Sequence, residues 1–160
     1  MIGIDPGLSG ALAVVTDRDG PSMNRPYIAS IDMPTLSVKG KRVLSPRVLI
    51  DFFEQYPDED VCIEDVHAMP GQGVSSMFRF GESFGIVQGI AFSLNRRVLF
   101  ISPQRWKKFF LLPPGKDASV QKAMNLFPEL RFARKKDHGQ ADAILLAYYG
   151  LLLKRRGDSC

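Results

Sequence analysis

The sequence predicts an α/β fold in which a mixed five-stranded sheet is flanked by helices. Three observations predict it. Short apolar segments broken by turn residues open the chain. Two further apolar segments, at 61–66 and 97–101, each stand between helix-patterned stretches. The resulting order of three strands, helix, strand, long helix, strand and helices is that of a layered α/β domain.

Residues 1–5 and 10–16 read as strands joined by the Pro6-Gly7-Leu8-Ser9-Gly10 turn. Gly7 and Gly10 allow the backbone conformations such a turn needs. A loop over 17–26 leads to a third strand at 27–33, completing an antiparallel meander that Asp32-Met33-Pro34 ends, because proline cannot donate to a ladder. Ser45-Pro46 reads as an N-cap with proline at the first helical position. Val48, Leu49, Phe52, Phe53 and Tyr56 then repeat at helical spacing, up to Pro57 and the acidic Asp58-Glu59-Asp60. The fourth strand, 61–66, carries Glu64, and 67–73 reads as an exposed loop.

Ser75-Ser76 open a long helix running to about residue 95. Gly81, Gly85 and Gly89 recur every four residues on one of its faces. Each costs roughly 1 kcal/mol of helix propensity relative to alanine. The stripe therefore implies a close approach, either by another element of this chain or by the same helix of a second copy. A fifth strand follows at 97–101. Ser102-Pro103 starts a short helix over 104–111, and Pro113-Pro114-Gly115 breaks the chain. A helix over 117–127 and a last one from near 138 to about 154 complete the order.

One domain over residues 1–160 suits a 17.8 kDa chain. Its 45% apolar and 24% charged composition is ordinary for a globular protein. No apolar run is long enough to span a bilayer, and Asp5 already lies in the first strand, so neither a signal nor a transit peptide is expected. A cytoplasmic protein without a membrane partner is the expectation. Two cysteines, Cys62 and Cys160, make no disulfide framework and read as plain thiols. The net charge of +4 understates the basic character. Cations cluster at Lys39-Gly40-Lys41-Arg42, Arg96-Arg97, Arg105-Trp106-Lys107-Lys108, Arg131 with Arg134-Lys135-Lys136, and Lys154-Arg155-Arg156. One such cluster is an ordinary solvated helix end; five beside an acidic site suit phosphate contacts.

The acidic site is the more specific signal. Asp5 ends the first apolar strand, Glu64 follows Val61-Cys62-Ile63, and Asp142 sits near the head of the last helix. Carboxylates on core elements are costly to desolvate unless something pairs with them, and a hard divalent cation is a natural partner for several. Strand alternation does not decide between Glu64 and Asp65, although the apolar run favours Glu64. His138 and Asp142, four apart, share a helical face, with Gly139 offering no side chain to block a metal or phosphate. The candidate set is Asp5, Glu64, His138 and Asp142. Such a set suits two Mg²⁺ ions, with Mn²⁺ as a substitute, for in-line phosphodiester hydrolysis. His138 is either a ligand, an acid/base group or a phosphate contact.

The segments Ile2-Gly3-Ile4-Asp5-Pro6-Gly7, Ile63-Glu64 and Gln140-Ala141-Asp142-Ala143 resemble the RuvC-type Holliday-junction resolvases of the RNase H-like superfamily. The resemblance covers essentially the whole chain in element order. It implies a homodimer that binds four-way DNA junctions and nicks two strands with Mg²⁺. Asp5, Glu64 and Asp142 match the family's motif positions. Bacterial members carry an acid or histidine three residues before the final aspartate, where this chain has Gly139. The His138-Gly139-Gln140-Ala141-Asp142 spacing is closer to plant chloroplast and phage-encoded members, as is Asp5-Pro6 followed by Leu8-Ser9-Gly10-Ala11-Leu12-Ala13-Val14.

In this family the long helix contributes to the dimer interface, which would account for Gly81, Gly85 and Gly89. The loop before it approaches the junction centre, making Gln72, Phe78 and Arg79 candidate DNA contacts. Phe78 would stack on unpaired bases, although an aromatic at this spacing is also an ordinary core residue. Lys116 is a candidate phosphate contact. Arg105, Lys107 and Lys108 are candidates for holding junction arms, and Lys135 and Lys136 lie in another cluster suited to DNA.

Three rival readings remain at this level. One is a nuclease of the same superfamily acting on RNA–DNA hybrids or other branched DNA, and another a non-catalytic junction-binding module. Sugar kinases and actin-like ATPases share the opening motif but need two lobes and about twice this length, so no nucleotide cofactor is expected.

Overall fold

The computed structural model describes residues 1–17, 25–67, 71–115, 117–134 and 137–157. Lys116, Lys135, Lys136 and Cys160 lie outside them. Five strands form the main sheet: β1 (Ile2–Asp5), β2 (Ala11–Thr16), β3 (Tyr27–Asp32), β6 (Val61–Glu64) and β7 (Val98–Ile101). Their order is β3-β2-β1-β6-β7. β1, β2 and β3 are the expected antiparallel meander, while β6 runs parallel to β1 and β7 parallel to β6.

Alternation divides the strands between two cores. Ile2, Ile4, Leu12, Val14, Val61 and Ile63 face α1 (Pro46–Gln55) and α2 (Val74–Ser93). Ala11, Ala13, Val15 and Cys62 face α3 (Pro103–Phe109), α4 (Asp117–Leu126) and α5 (His138–Arg156). The sheet is thus the middle of three layers.

Small residues bring α5 onto the sheet. A Cβ on Gly3 would stand 2.3 Å from the Ala143 carbonyl oxygen, and one on Gly150 2.2 Å from Cys62 Sγ. At Gly3 the α5 backbone itself excludes a larger residue, and at Gly150 the Cys62 and Met1 side chains fill the space a Cβ would need. The Cys62 thiol is buried and free, with Sγ 3.4 Å from Met1 Sδ.

Several expectations change in detail. A second, two-stranded sheet is formed by β4 (Thr35–Val38) and β5 (Lys41–Leu44), in a stretch without an assigned element. Lys39 and Gly40 make its turn with φ of 48° and 74°, the positive pair that a tight hairpin requires. Ser45 holds the N-cap position of α1 but makes no side-chain capping bond. The fourth strand ends at Glu64 rather than at residue 66, and α2 begins one residue before Ser75. Gly7 and Gly10 are not among the positive-φ glycines. Space is what Gly10 provides, since a Cβ there would lie 2.2 Å from the Asp5 carbonyl oxygen. No helix among the described residues is long and apolar enough to cross a membrane.

Candidate active site

The register of two strands sets the site. Ile4 pairs with Ile63 across the parallel β1–β6 ladder, so Asp5 and Glu64 are the next residues on adjacent strands. Ile4 and Ile63 both face α1 and α2, which turns Asp5 and Glu64 together toward α5. Parallel neighbours lie about 4.8 Å apart, a short distance for two carboxylates. The alternative left open by the sequence resolves here: Glu64 is buried, while Asp65 is partly exposed and lies 3.5 Å from His67.

The third carboxylate comes from α5. Packing at Gly3 fixes the helix over β1, and Asp142 precedes the Ala143 that touches Gly3. Gly139 belongs to the same docking. A Cβ on it would meet the Ser9 carbonyl oxygen at 3.1 Å, so its small size serves the fit of α5 against the β1–β2 turn rather than an open approach to the site. His138 and Asp142 line one cavity of about 400 Å³ with Lys107, Pro113 and Ser119.

Electrostatics confirm the convergence. Burial pushes Asp5 up to about 6, and the Asp142 charge adds to it, against a Gly7 amide bond and the neighbouring His138 and Lys107. Burial likewise raises Glu64 to about 7, reinforced by Asp5 and Asp142 and opposed by Trp106 and Lys107. Asp142 is raised by burial, while a Ser119 hydrogen bond, Lys107 and His138 pull the other way. Lys107 therefore acts on all three carboxylates. Groups perturbed this way beside a cleft mark functional sites more often than structural ones.

Two features of the donors bear on a cation. Asp142 Oδ1 is buried without a hydrogen-bond partner, an arrangement costly unless something satisfies it. Among the described residues, no three His, Cys, Asp or Glu side chains stand as a ready-made ligating group. The oxygen-rich, mutually repelling donor set fits a hard divalent cation in chemistry, with side-chain rotation needed to close the shell.

Sequence reasoning missed the residue that holds Glu64. Trp106 is fully buried, and its indole Nε1 donates to Glu64 Oε1 at 3.0 Å. Its one signal was position: the chain's single tryptophan three residues past the helix-starting Pro103. A polar network at the head of α5 was missed too. Arg134 donates to both oxygens of Asp32 at 2.9 and 3.0 Å and from Nε to Asp137 Oδ1 at 2.7 Å. Gln140 Nε2 donates to Asp32 Oδ1 at 2.6 Å, and Ser30 donates to Gln140 Oε1 at 2.9 Å. Arg134, read as one of a phosphate-binding cluster, is exposed but committed to the carboxylates of Asp32 and Asp137.

Of the other expected contacts, Phe78 is 68% exposed, and Gln72, Arg79, Arg105 and Lys108 are exposed. Lys107 is half-buried at the carboxylates. Among the described residues, a Cβ on Gly81, Gly85 or Gly89 would meet nothing within 4 Å, so no described element makes the close approach that the stripe implies.

No family model matches the chain. Over 91 residues it is 34% identical to "Holliday junction resolvase MOC1, chloroplastic" of Chlamydomonas reinhardtii, a match covering 52% of this chain. The chain spans only 10% of that relative's length. Among solved structures it is similar to "T. thermophilus RuvC in complex with Holliday junction substrate", at TM-score 0.67 and 17% identity, covering 98% of this chain and 95% of that one. A second, "Thermus thermophilus RuvC structure", matches at TM-score 0.65 and 18% identity, over 98% and 96%. The fold is RNase H-like, of the RuvC type, and the expected likeness to the chloroplast branch is borne out in sequence.

Proposed function

We propose that this chain is a metal-dependent endodeoxyribonuclease that resolves four-way DNA junctions. The observation that carries the reading is the placement of Asp5 and Glu64 directly after the Ile4–Ile63 pair on parallel neighbouring strands, with Asp142 and His138 brought near them by α5. The similarity to a resolvase in sequence and to RuvC in fold supports the substrate class. The RNase H-like domain is taken as a single unit over residues 1–160.

Asp5, Glu64 and Asp142 would hold Mg²⁺ or Mn²⁺, two ions per site, with His138 as a fourth ligand or a proton carrier. When bound, the metal supplies an activated water and charge stabilisation for the phosphodiester. The chain's residues do the rest. Trp106 fixes the Glu64 carboxylate and favours its ionised form. Lys107, with its charge felt at all three carboxylates, faces the position of a scissile phosphate. Arg105 and Lys108 would flank it as backbone contacts, and Gln72, Phe78 and Arg79 would reach toward the junction centre; Lys116, Lys135 and Lys136, outside the described residues, are further phosphate-contact candidates from the sequence. Paired nicks require two sites, and the open glycine face of α2 is the surface on which a second copy would pack.

The test compares a synthetic four-way junction, a matched linear duplex and an RNA–DNA hybrid in Mg²⁺, for the wild type and Asp5→Asn. Paired nicks in the junction alone, lost in Asp5→Asn, are expected. Equal cleavage of hybrid or linear DNA would replace the substrate and keep the chemistry. Tight junction binding without cleavage would leave a binding module.

A further inference from the structure

We infer that the groove between the β4–β5 hairpin and the first half of α2 is a track for one DNA strand leading to the catalytic turn. The inference rests on the junction-nuclease reading and adds a surface to it. The groove has a volume of about 500 Å³ and is walled by Leu8, Leu44, Val74, Phe78 and Ile86. Its rim carries Lys41, Arg42 and Arg79, set against one carboxylate, Glu82. Lys41 and Arg79 have no ion-pair partner among the described residues, and Val74 is 86% exposed. Exposed cations around an apolar floor with an accessible aromatic ring complement a phosphodiester strand carrying stackable bases.

Position supports that occupant over others. Arg42 donates to the Leu8 carbonyl oxygen at 2.9 Å and the Ser9 hydroxyl at 3.2 Å. Leu8 and Ser9 belong to the turn that follows Asp5, so the hairpin is tied to the catalytic strand's exit and the groove opens beside it. Helical periodicity sets Arg79, Ser83 and Ile86 a quarter-turn or more from Gly85, while Val74 and Phe78 border the glycine face. A second copy on the glycine face would therefore leave the cationic side of the groove at the edge of the seam. A neutral or cationic partner segment would have no use for three cations on the rim.

The test measures binding of a synthetic four-way junction and a linear duplex in EDTA, which blocks cleavage, over a series of salt concentrations. The wild type is compared with Lys41→Gln, Arg79→Gln and the double variant, each with its melting curve and sedimentation coefficient. Both side chains are exposed on regular elements, so folding is expected to survive. The double variant should bind roughly tenfold or more weakly at 0.1 M salt, and its slope of log Kd on log salt should fall by about two. Phe78→Ala should weaken binding without moving the slope. Unchanged Kd and slope in the double variant would overturn the track. Unchanged Kd with loss of the dimer would assign the groove to a second copy instead. If the duplex binds as tightly as the junction while the slope still responds to Lys41 and Arg79, the junction reading fails and the track stands. A wild type that binds no DNA defeats both.

Discussion

The indole Nε1 of Trp106 donates to Glu64 Oε1 at 3.0 Å inside a fully buried contact. This bond favours the ionised carboxylate against the burial and the Asp5 charge that raise it. Trp106→Phe removes the donor and keeps most of the ring. Hydrogen bonds to charged groups are worth about 1.5–3 kcal/mol, so a loss of roughly that size is expected in urea unfolding at pH 8. Without the bond, Glu64 needs a higher pH to ionise. The acid limb of the cleavage profile should therefore move to higher pH, and an unmoved limb would mean that Trp106 only fills space.

Metal-free stability should fall as pH rises. Asp5 and Glu64 are raised to about 6 and 7, so between pH 4 and 7 the native state holds protons that the unfolded chain has lost. Stability then declines with pH across that window, by an amount on the order of a few kcal/mol. Asp137 works in the opposite sense. Burial opposes its charge, but the backbone and side chain of Arg134 hold it below the usual range, so its contribution is lost as acid protonates it. In EDTA, urea midpoints at pH 5 should exceed those at pH 8. Asp5→Asn should be the more stable protein at pH 8, with no such advantage at pH 4, and Mg²⁺ should narrow the gap. A flat profile would show that burial and mutual repulsion do not raise these carboxylates.

The sheet was legible because its signals are local: apolar runs, a glycine turn and proline stops. Asp5 and Glu64 were legible because a charge directly after an apolar strand is conspicuous. What escaped was either long-range or read through the wrong cause. Nothing near Arg134 in the sequence announces Asp32, which lies on a strand 102 residues away. Gly139 looked like an opening for a ligand, yet it is small because the Ser9 carbonyl oxygen stands where a methyl group would go. The hairpin did have a local signal, the Lys39-Gly40 pair between alternating residues, but proline and charge around it masked the strands.

The Arg134 fork is expected to position rather than to bind DNA. Its two carboxylate partners tie β3 to the residue preceding His138. Because its side chain is 48% exposed, solvent screening discounts the ion pairs. Arg134→Ala should lower stability, chiefly by leaving buried Asp137 underpaired. Lysine should not restore it, since one ammonium cannot span two carboxylates in a planar fork. Cleavage at saturating junction should slow while the salt slope of binding stays at the wild-type value. A lowered slope would return Arg134 to the phosphate contacts.

Two substitutions at Gly85 should act with opposite signs. Among the described residues nothing lies within 4 Å of a Cβ there, so in an isolated chain alanine would add roughly 1 kcal/mol of helix stability. Leucine would also fit in that open space without touching this chain's core. If α2 is the dimer seam, however, its glycines allow two helix backbones to approach, and a leucine side chain would hold them apart. Gly85→Leu should then yield a folded monomer by sedimentation velocity, with paired nicks reduced to single ones. A dimer that tolerates leucine unchanged would move the seam elsewhere and leave the stripe without a packing role.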